Sequence, residues 1–500
     1  MGTYTILTKN GVADADQKEA LDRLASELAK KGAKVLLHLH GGLVDQASGK
    51  AAAERLSGAG QNSWQLGNDW TQIYVVWRTG ALETIKTNWQ DLVHDDRLYQ
   101  TVVKKLIDFV ARRLGVPDST ARGPGSLAMD EADILRRLTG KAGPRPFDRI
   151  DTEISIEKPS GQRATLMGER SDGELALDFE AELNDDEAFQ RAASDIDEAI
   201  NVPSGARGPS LGADQATGEE MRKRLDANIK RELEPPVISG TEARGIVSAA
   251  GFLLKHAGKA GLRCFKRFRN GRDHGLHATI VEEVCREFYG DLIGAKVWGM
   301  MVQDAADHFA SPGLGSALVD ILKETPPATF VVTAHSAGSI WATHLLRAMK
   351  ANKMAPSVKL FLLAPAVRTD VFAAMLDSAG DMITRCRMIT MTDELERRDA
   401  VLGHDKSYIY PSSLLYLVSG MFEEKEAQAY VDAPLLGMQR FTTSAGLAEA
   451  EVDAAKRITS FFQQADHGII SSPTPGVSVA DSHGAFDDEP LTLATVRSLF

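Results

Sequence analysis

Short runs of consecutive apolar, often β-branched residues alternate along this chain with longer stretches whose apolar positions recur every three or four residues. The short runs at 4–7, 34–40, 72–77, 330–332, 358–364 and 387–391 read as strands, and most lack the polar alternation of a half-solvated strand, so they fit a sheet covered on both faces. The longer stretches read as helices. One runs over 16–31 with Leu21, Leu24, Ala25 and Leu28 on one face and Gly32 as its C-cap; others cover 82–92, 102–114, 278–289, 292–309 and 314–323, and a last one closes the chain at 491–500. Segments 412–419, 435–438 and 447–462 have no settled place in this pattern. Strand, helix, strand in repetition predicts an α/β fold with a mostly parallel central sheet and helices on both faces.

One long interruption breaks the pattern. From 116 to 234, Gly/Pro/Ser-rich pieces at 117–126, 143–146 and 203–212 surround an acidic stretch, 171–200, with eleven Asp/Glu against one Arg. Such a composition predicts a solvated, partly mobile insertion, either a cap or lid or a tolerated excursion. Asp185, Asp186 and Glu187 lack the ligand spacing of a calcium loop. An apolar, glycine-containing segment follows at 243–257, then seven Lys/Arg and no acid over 255–272. Two readings are open for 243–272: peripheral contact with an anionic membrane surface, or packing of the basic run against the acidic insertion. The chain thus divides into 1–114, an insertion at 115–289, and 290–500.

Composition narrows the function classes. The 43% hydrophobic and 25% charged residues are those of an ordinary globular protein, and a net charge of −12 argues against general nucleic-acid binding. Three cysteines, Cys264, Cys285 and Cys386, stand far apart without a C-x-x-C, as reduced thiols of a cytoplasmic protein would. The N-terminus shows no basic-then-apolar leader, and Ile6 breaks the myristoylation pattern. The longest apolar stretch, near 245–254, falls far short of the ~20 residues that span a bilayer.

Candidate chemistry sits where strands end. The strand at 329–334 stops at Ala334-His335-Ser336-Ala337-Gly338 and turns at once into a helix, so a serine projects from a tight turn beside a helix N-terminus. Small residues at 334 and 338 leave room for strand and helix to approach each other. The strand at 34–40 delivers His40-Gly41-Gly42 to a loop, whose Gly42 N–H could join that of Ala337 in stabilising an oxyanion. Gly49-Lys50 is not a phosphate loop, because the glycine spacing is too long and Ala51 stands where a Ser or Thr is required. After the strand at 387–391 comes Asp393, the preferred orienting acid, with Glu394 and Asp399 as alternates. His483, in a loop before the last helix, is the preferred general base and His467 its rival; His274 and His308 read as structural or exposed.

In the order His-Gly-Gly, Ser336, Asp393, His483, these pieces resemble an α/β-hydrolase over roughly 1–114 and 290–500. The strings His-Gly-Gly-Leu and Ser-His-Gly-x-Phe-Asp-Asp also resemble those of bacterial α/β-hydrolase-like proteins. Departures are Ala334 in place of the first elbow glycine, two glycines where the oxyanion turn often has three, and the long gap between Asp393 and His483. The resemblance implies a serine hydrolase with Ser336 as nucleophile, His483 as base, Asp393 as acid, Gly42 and Ala337 as oxyanion donors, and His40, Gly41, His335 and Gly338 supporting the two turns. It implies neither metal nor organic cofactor, and a small-molecule or lipid-like ester as substrate. An amidase, a peptidase, an acyltransferase, or a silent hydrolase-like interaction protein would carry the same strings.

Overall fold

The structure is a computed structural model that describes residues 2–14, 17–30, 32–77, 82–115, 130–157, 168, 170–201, 213–233, 248–423, 432–442 and 447–500. The proline- and glycine-rich pieces at 117–126 and 203–212, and the start of the apolar segment at 243–247, lie outside these residues. Eight strands form one sheet: β1 (Thr3–Lys9), β2 (Val12–Ala13), β3 (Lys34–Leu39), β4 (Trp70–Val76), β5 (Thr329–His335), β6 (Val358–Leu363), β7 (Ile383–Met391) and β8 (His467–Ser472). Their order is β2-β1-β4-β3-β5-β6-β7-β8, and all neighbours run parallel except the β1/β2 hairpin. The chain has an α/β fold.

β3 and β5 lie at the centre with five and six consecutive buried residues, as their unbroken apolar sequences require. They also flank the point where the order of strands reverses. From β3 the chain crosses to β4 on one side; from β5 it crosses to β6 on the other. Their carboxyl ends therefore open into a crevice between diverging connections, where parallel sheets place their ligand sites. Leu39 pairs with Ala334, so the next residues along, Gly41 and Gly42, fall level with Ser336 and Ala337.

The acidic stretch is better ordered than its composition suggests. It forms two helices, Asp172–Asn184 and Glu187–Asn201, whose Leu175, Phe179, Leu183, Phe189 and Ile196 are buried while the carboxylates, the buried Asp195 excepted, take the outer faces. Phe109 on the Arg97–Arg113 helix meets Phe179 and Phe265 with ring centroids 5.6 and 5.4 Å apart, so this helix packs with the insertion although it precedes it in sequence.

The basic run lies on the Ala249–Asn270 helix, and its arginines are spent within the chain. Arg263 pairs with Glu283 and Glu287, Arg267 with Glu282 and Glu283, Arg269 with Asp172, and Arg272, just beyond, with Asp432 and Glu451. Of these partners Asp172 alone comes from the acidic stretch; the others lie on the following helix and in the C-terminal part. Arg267 and both its partners are fully buried, an arrangement that tolerates little displacement because each charge needs its counter-charge. Among the described residues no helix is long and apolar enough to cross a membrane.

Candidate active site

Ser336 follows directly on β5 in the left-handed region, at φ 50°, where a residue with a Cβ is strained. Several bonds hold it there. Its N–H donates to Leu363 O at 2.8 Å, and its carbonyl accepts from the Ala366 N–H at 3.0 Å and the Ser339 hydroxyl at 2.6 Å. Ser339 Oγ in turn accepts from the Val367 N–H, so the turn is tied to the loop after β6.

The glycine of the turn is required by the fold. A Cβ on Gly338 would stand 2.4 Å from Leu39 O, because the Gly338–Ala351 helix starts against the end of β3. Ala334 is fully buried on the strand before it.

The β3 loop closes on the same serine. A Cβ on Gly41 would lie 3.3 Å from Ser336 Cβ, and one on Gly42 would lie 3.0 Å from Ala337 Cβ and 2.7 Å from Met301 Sδ. His40 orients this loop. Its Nε2 accepts from the Trp77 N–H at 3.3 Å, so its proton resides on Nδ1, which donates to Gly41 O at 2.6 Å. Burial lowers the pKa of His40 to about 4, keeping it neutral for that role. A trans peptide points its N–H opposite its carbonyl, so turning Gly41 O toward His40 aims the Gly42 N–H away from it. Among the described residues, neither the Gly42 nor the Ala337 N–H donates to a backbone carbonyl.

His483 brings the third element. Its Nε2 lies 2.8 Å from Ser336 Oγ. Its backbone is gripped at both ends: the N–H donates to Asp399 Oδ2 at 2.6 Å, and the carbonyl accepts from His335 Nε2 at 2.9 Å. His335 Nδ1 faces Asp487 at 3.7 Å, and Arg55 donates to the Asp487 carbonyl at 2.6 Å, so the Phe486-Asp487-Asp488 string locks the histidine loop to the serine turn. Burial, and next the neighbouring His335, push the pKa of His483 well below its ordinary value. The imidazole is therefore neutral near pH 7, with Nε2 free to accept a proton from the serine. Its Nδ1 has no hydrogen-bond partner among the described residues.

Asp393, the preferred acid from the sequence, is not bonded to His483. Its carboxylate serves Tyr416 and Arg397, with Arg440 close by. Burial alone would raise its pKa, but Arg440, Arg397 and Tyr416 together hold it below the usual carboxylate value. Arg440 also donates to the carbonyls of Asp273 and Gly271, so Asp393 anchors the turn between two insertion helices. Glu394 is exposed and pairs with Arg398. The carboxylate that touches the histidine is Asp399. Burial pushes its pKa up to about 6, against the bond from the His483 N–H and the charge of Arg145; Asp481 reinforces the rise.

The rival histidine is elsewhere. His467 begins β8 and stacks on Phe461 at 4.2 Å. His274 and His308 are buried and hydrogen-bonded to Glu282 and to Thr8, as structural histidines. Cys264, Cys285 and Cys386 are free and buried. Among the described residues no three His, Cys, Asp or Glu side chains are grouped to hold a metal ion.

The chain matches no protein-family model, no curated protein and no solved structure with which it was compared.

Proposed function

We propose that this protein is a serine hydrolase with an α/β-hydrolase fold, acting on a carboxylic ester. One observation carries the reading: a serine in a strained strand-to-helix turn has its hydroxyl 2.8 Å from Nε2 of a buried, neutral histidine contributed by a loop far along the chain. An ordinary turn needs neither the strain nor the pairing.

In this mechanism Ser336 Oγ attacks the ester carbonyl as its proton passes to His483 Nε2. The carbonyl π electrons move onto oxygen, and the Gly42 and Ala337 N–H groups stabilise the resulting anion. Collapse expels the alcohol, which takes the proton from His483, and leaves an acyl group on Ser336. Water then repeats the cycle, losing its proton to His483, and the acid leaves with Oγ reprotonated. The orienting acid is assigned to Asp399 in place of Asp393. One oxygen of Asp399 holds the backbone N–H of His483, which makes Asp399 the carboxylate that fixes this residue as the imidazolium forms.

A second reading, a hydrolase-like fold without activity, draws on the closed state of the site, since Ser336 is only 1% exposed. Labelling with a fluorophosphonate separates the two. An active enzyme is labelled at Ser336 and hydrolyses a short p-nitrophenyl ester, whereas Ser336→Ala does neither. A wild-type chain inert in both assays overturns the proposal.

A further inference from the structure

We propose that Arg145, carried by the insertion, is a positioning residue for Asp399 and, through it, for His483. The proposal rests on the serine-hydrolase reading above and gives the insertion a part in that site.

Arg145 lies in the loop between the helices Glu131–Leu138 and Asp148–Glu157, with its side chain 13% exposed. Its guanidinium donates to Arg398 O, to Pro411 O at 3.0 Å and, more weakly, to Arg397 O at 3.5 Å. Its backbone N–H donates to Ser407 Oγ at 3.0 Å. The residues reached are the two immediately before Asp399 and the far limb of the loop that follows it.

A planar fork with five donors suits this task, because it can satisfy carbonyls from two chain segments at once and fix their separation. The carbonyls of Arg397 and Arg398 follow directly on the short Asp393–Glu396 helix, and that of Arg398 also accepts from the Ala400 N–H at 3.0 Å, so the fork adds a second tie to this turn. Asp399 is therefore set by a side chain from outside the sheet, and its carboxylate in turn sets the backbone of the histidine that touches Ser336.

The backbone of Arg145 sits at φ 50° without being a glycine, and its N–H bond to Ser407 together with the guanidinium bonds across the loop holds it there. Neighbouring contacts dock the same loop, with Gly140 packed on the ring of Tyr408.

Arg145 also contributes charge. The groups facing Asp399 are Arg145 from the insertion, Asp481 from the histidine loop, and Glu396 on the preceding helix, itself buried and held by Ser413 with a pKa raised well above the usual range. Arg145 is the cation among them, so removing it leaves Asp399 facing carboxyl groups alone and makes it harder to ionise.

The test compares the full chain with Arg145→Gln and Arg145→Lys. It measures kcat and KM for a short p-nitrophenyl ester across pH, the fluorophosphonate labelling rate, and thermal melting. For Arg145→Gln we expect kcat to fall about 10- to 100-fold with KM little changed, as for a mispositioned catalytic group. The acid limb of kcat/KM should move to higher pH by about half a unit or more, the direction required when a stabilising cation is lost. Arg145→Lys should return the limb to its wild-type position, because charge is restored, while kcat stays below wild type for want of the fork. An unmoved limb in a folded Arg145→Gln chain overturns the proposal, whatever happens to kcat. If that chain does not melt cooperatively, Arg145→Lys decides, and wild-type kcat in it overturns the proposal. A wild-type chain that neither labels nor hydrolyses sinks the hydrolase reading itself, an outcome visible before either variant is made.

Discussion

His335 Nε2 donates to the carbonyl of His483 at 2.9 Å, so the residue just before the candidate nucleophile fixes the backbone of its candidate base. The two motifs that stood out in the sequence are thereby one physical unit. Removing the donor frees one end of the His483 backbone while leaving Asp399 at the other. His335→Ala should lower kcat/KM about fivefold, the equivalent of one hydrogen bond worth roughly 1 kcal/mol. Steady-state hydrolysis of a p-nitrophenyl ester measures it, and activity equal to wild type would show that the contact is dispensable.

Asp393 and Asp399 should respond oppositely to replacement by asparagine. Asp399→Asn removes the carboxylate beside His483 and should reduce kcat by about 10²–10⁴, with the fold intact. Activity in the wild type needs this group ionised, so kcat/KM should fall as pH drops through about 6, the value to which burial pushes it. Asp393→Asn should leave kcat near wild type but weaken the anchoring by Arg397, Arg440 and Tyr416. Because the pKa of folded Asp393 lies below its unfolded value, its contribution to stability is present above the unfolded pKa and lost as pH falls through the folded one. The melting temperature of Asp393→Asn should therefore trail wild type at pH 7 and approach it as pH falls below the usual carboxylate range. Equal melting of the two at pH 7 would contradict the anchoring role.

The central strands were legible because burial on both faces leaves an unbroken apolar run, as in β3 and β5. β8 was not anticipated: it is an edge strand, half-buried along most of its length, and His467-Gly468 at its start reads as a turn. In the acidic stretch eleven carboxylates masked Leu175, Phe179 and Leu183, whose four-residue spacing already described the buried face of a helix. Ser336 and His483 could be singled out because tight turns constrain which residues fit. Which carboxylate meets the histidine could not, since Asp393 and Asp399 share a loop whose path is set by Arg145 and Arg440 from distant segments. The roles of His335 in gripping His483 and of Arg145 in holding the loop left no sequence signal beyond their own motif or composition.

The two glycines at the site should differ in what their replacement costs. A Cβ at Gly338 meets the backbone oxygen of Leu39 at 2.4 Å, and neither β3 nor the helix can retreat without breaking the sheet or the turn. Gly338→Ala should destabilise the chain by about 1–3 kcal/mol or more. At Gly42 the nearest atoms belong to Met301, a flexible side chain that can rotate away. Gly42→Ala should fold normally and lose turnover through displacement of its N–H, by about 10²–10³ if that donor is lost. Urea unfolding paired with ester hydrolysis distinguishes them, and the opposite pattern would place the oxyanion donor elsewhere.

Ser336 stores backbone strain at the candidate site. At φ 50° its Cβ crowds the backbone, whereas glycine reaches the same conformation without penalty. The surrounding bonds to Leu363, Ala366 and Ser339 are made by the backbone of residue 336, so they survive a change of side chain. Ser336→Gly therefore loses the hydroxyl and its contact with His483, and relieves strain of about 1–2 kcal/mol, partly offset by the greater freedom of glycine in the unfolded chain. The expected outcome is complete loss of labelling together with stability equal to or above wild type, while Ser336→Ala, which keeps the Cβ, is equally inactive without that relief. A Ser336→Gly chain clearly less stable than Ser336→Ala in urea unfolding would mean that the turn is not strained in the way its backbone angle implies.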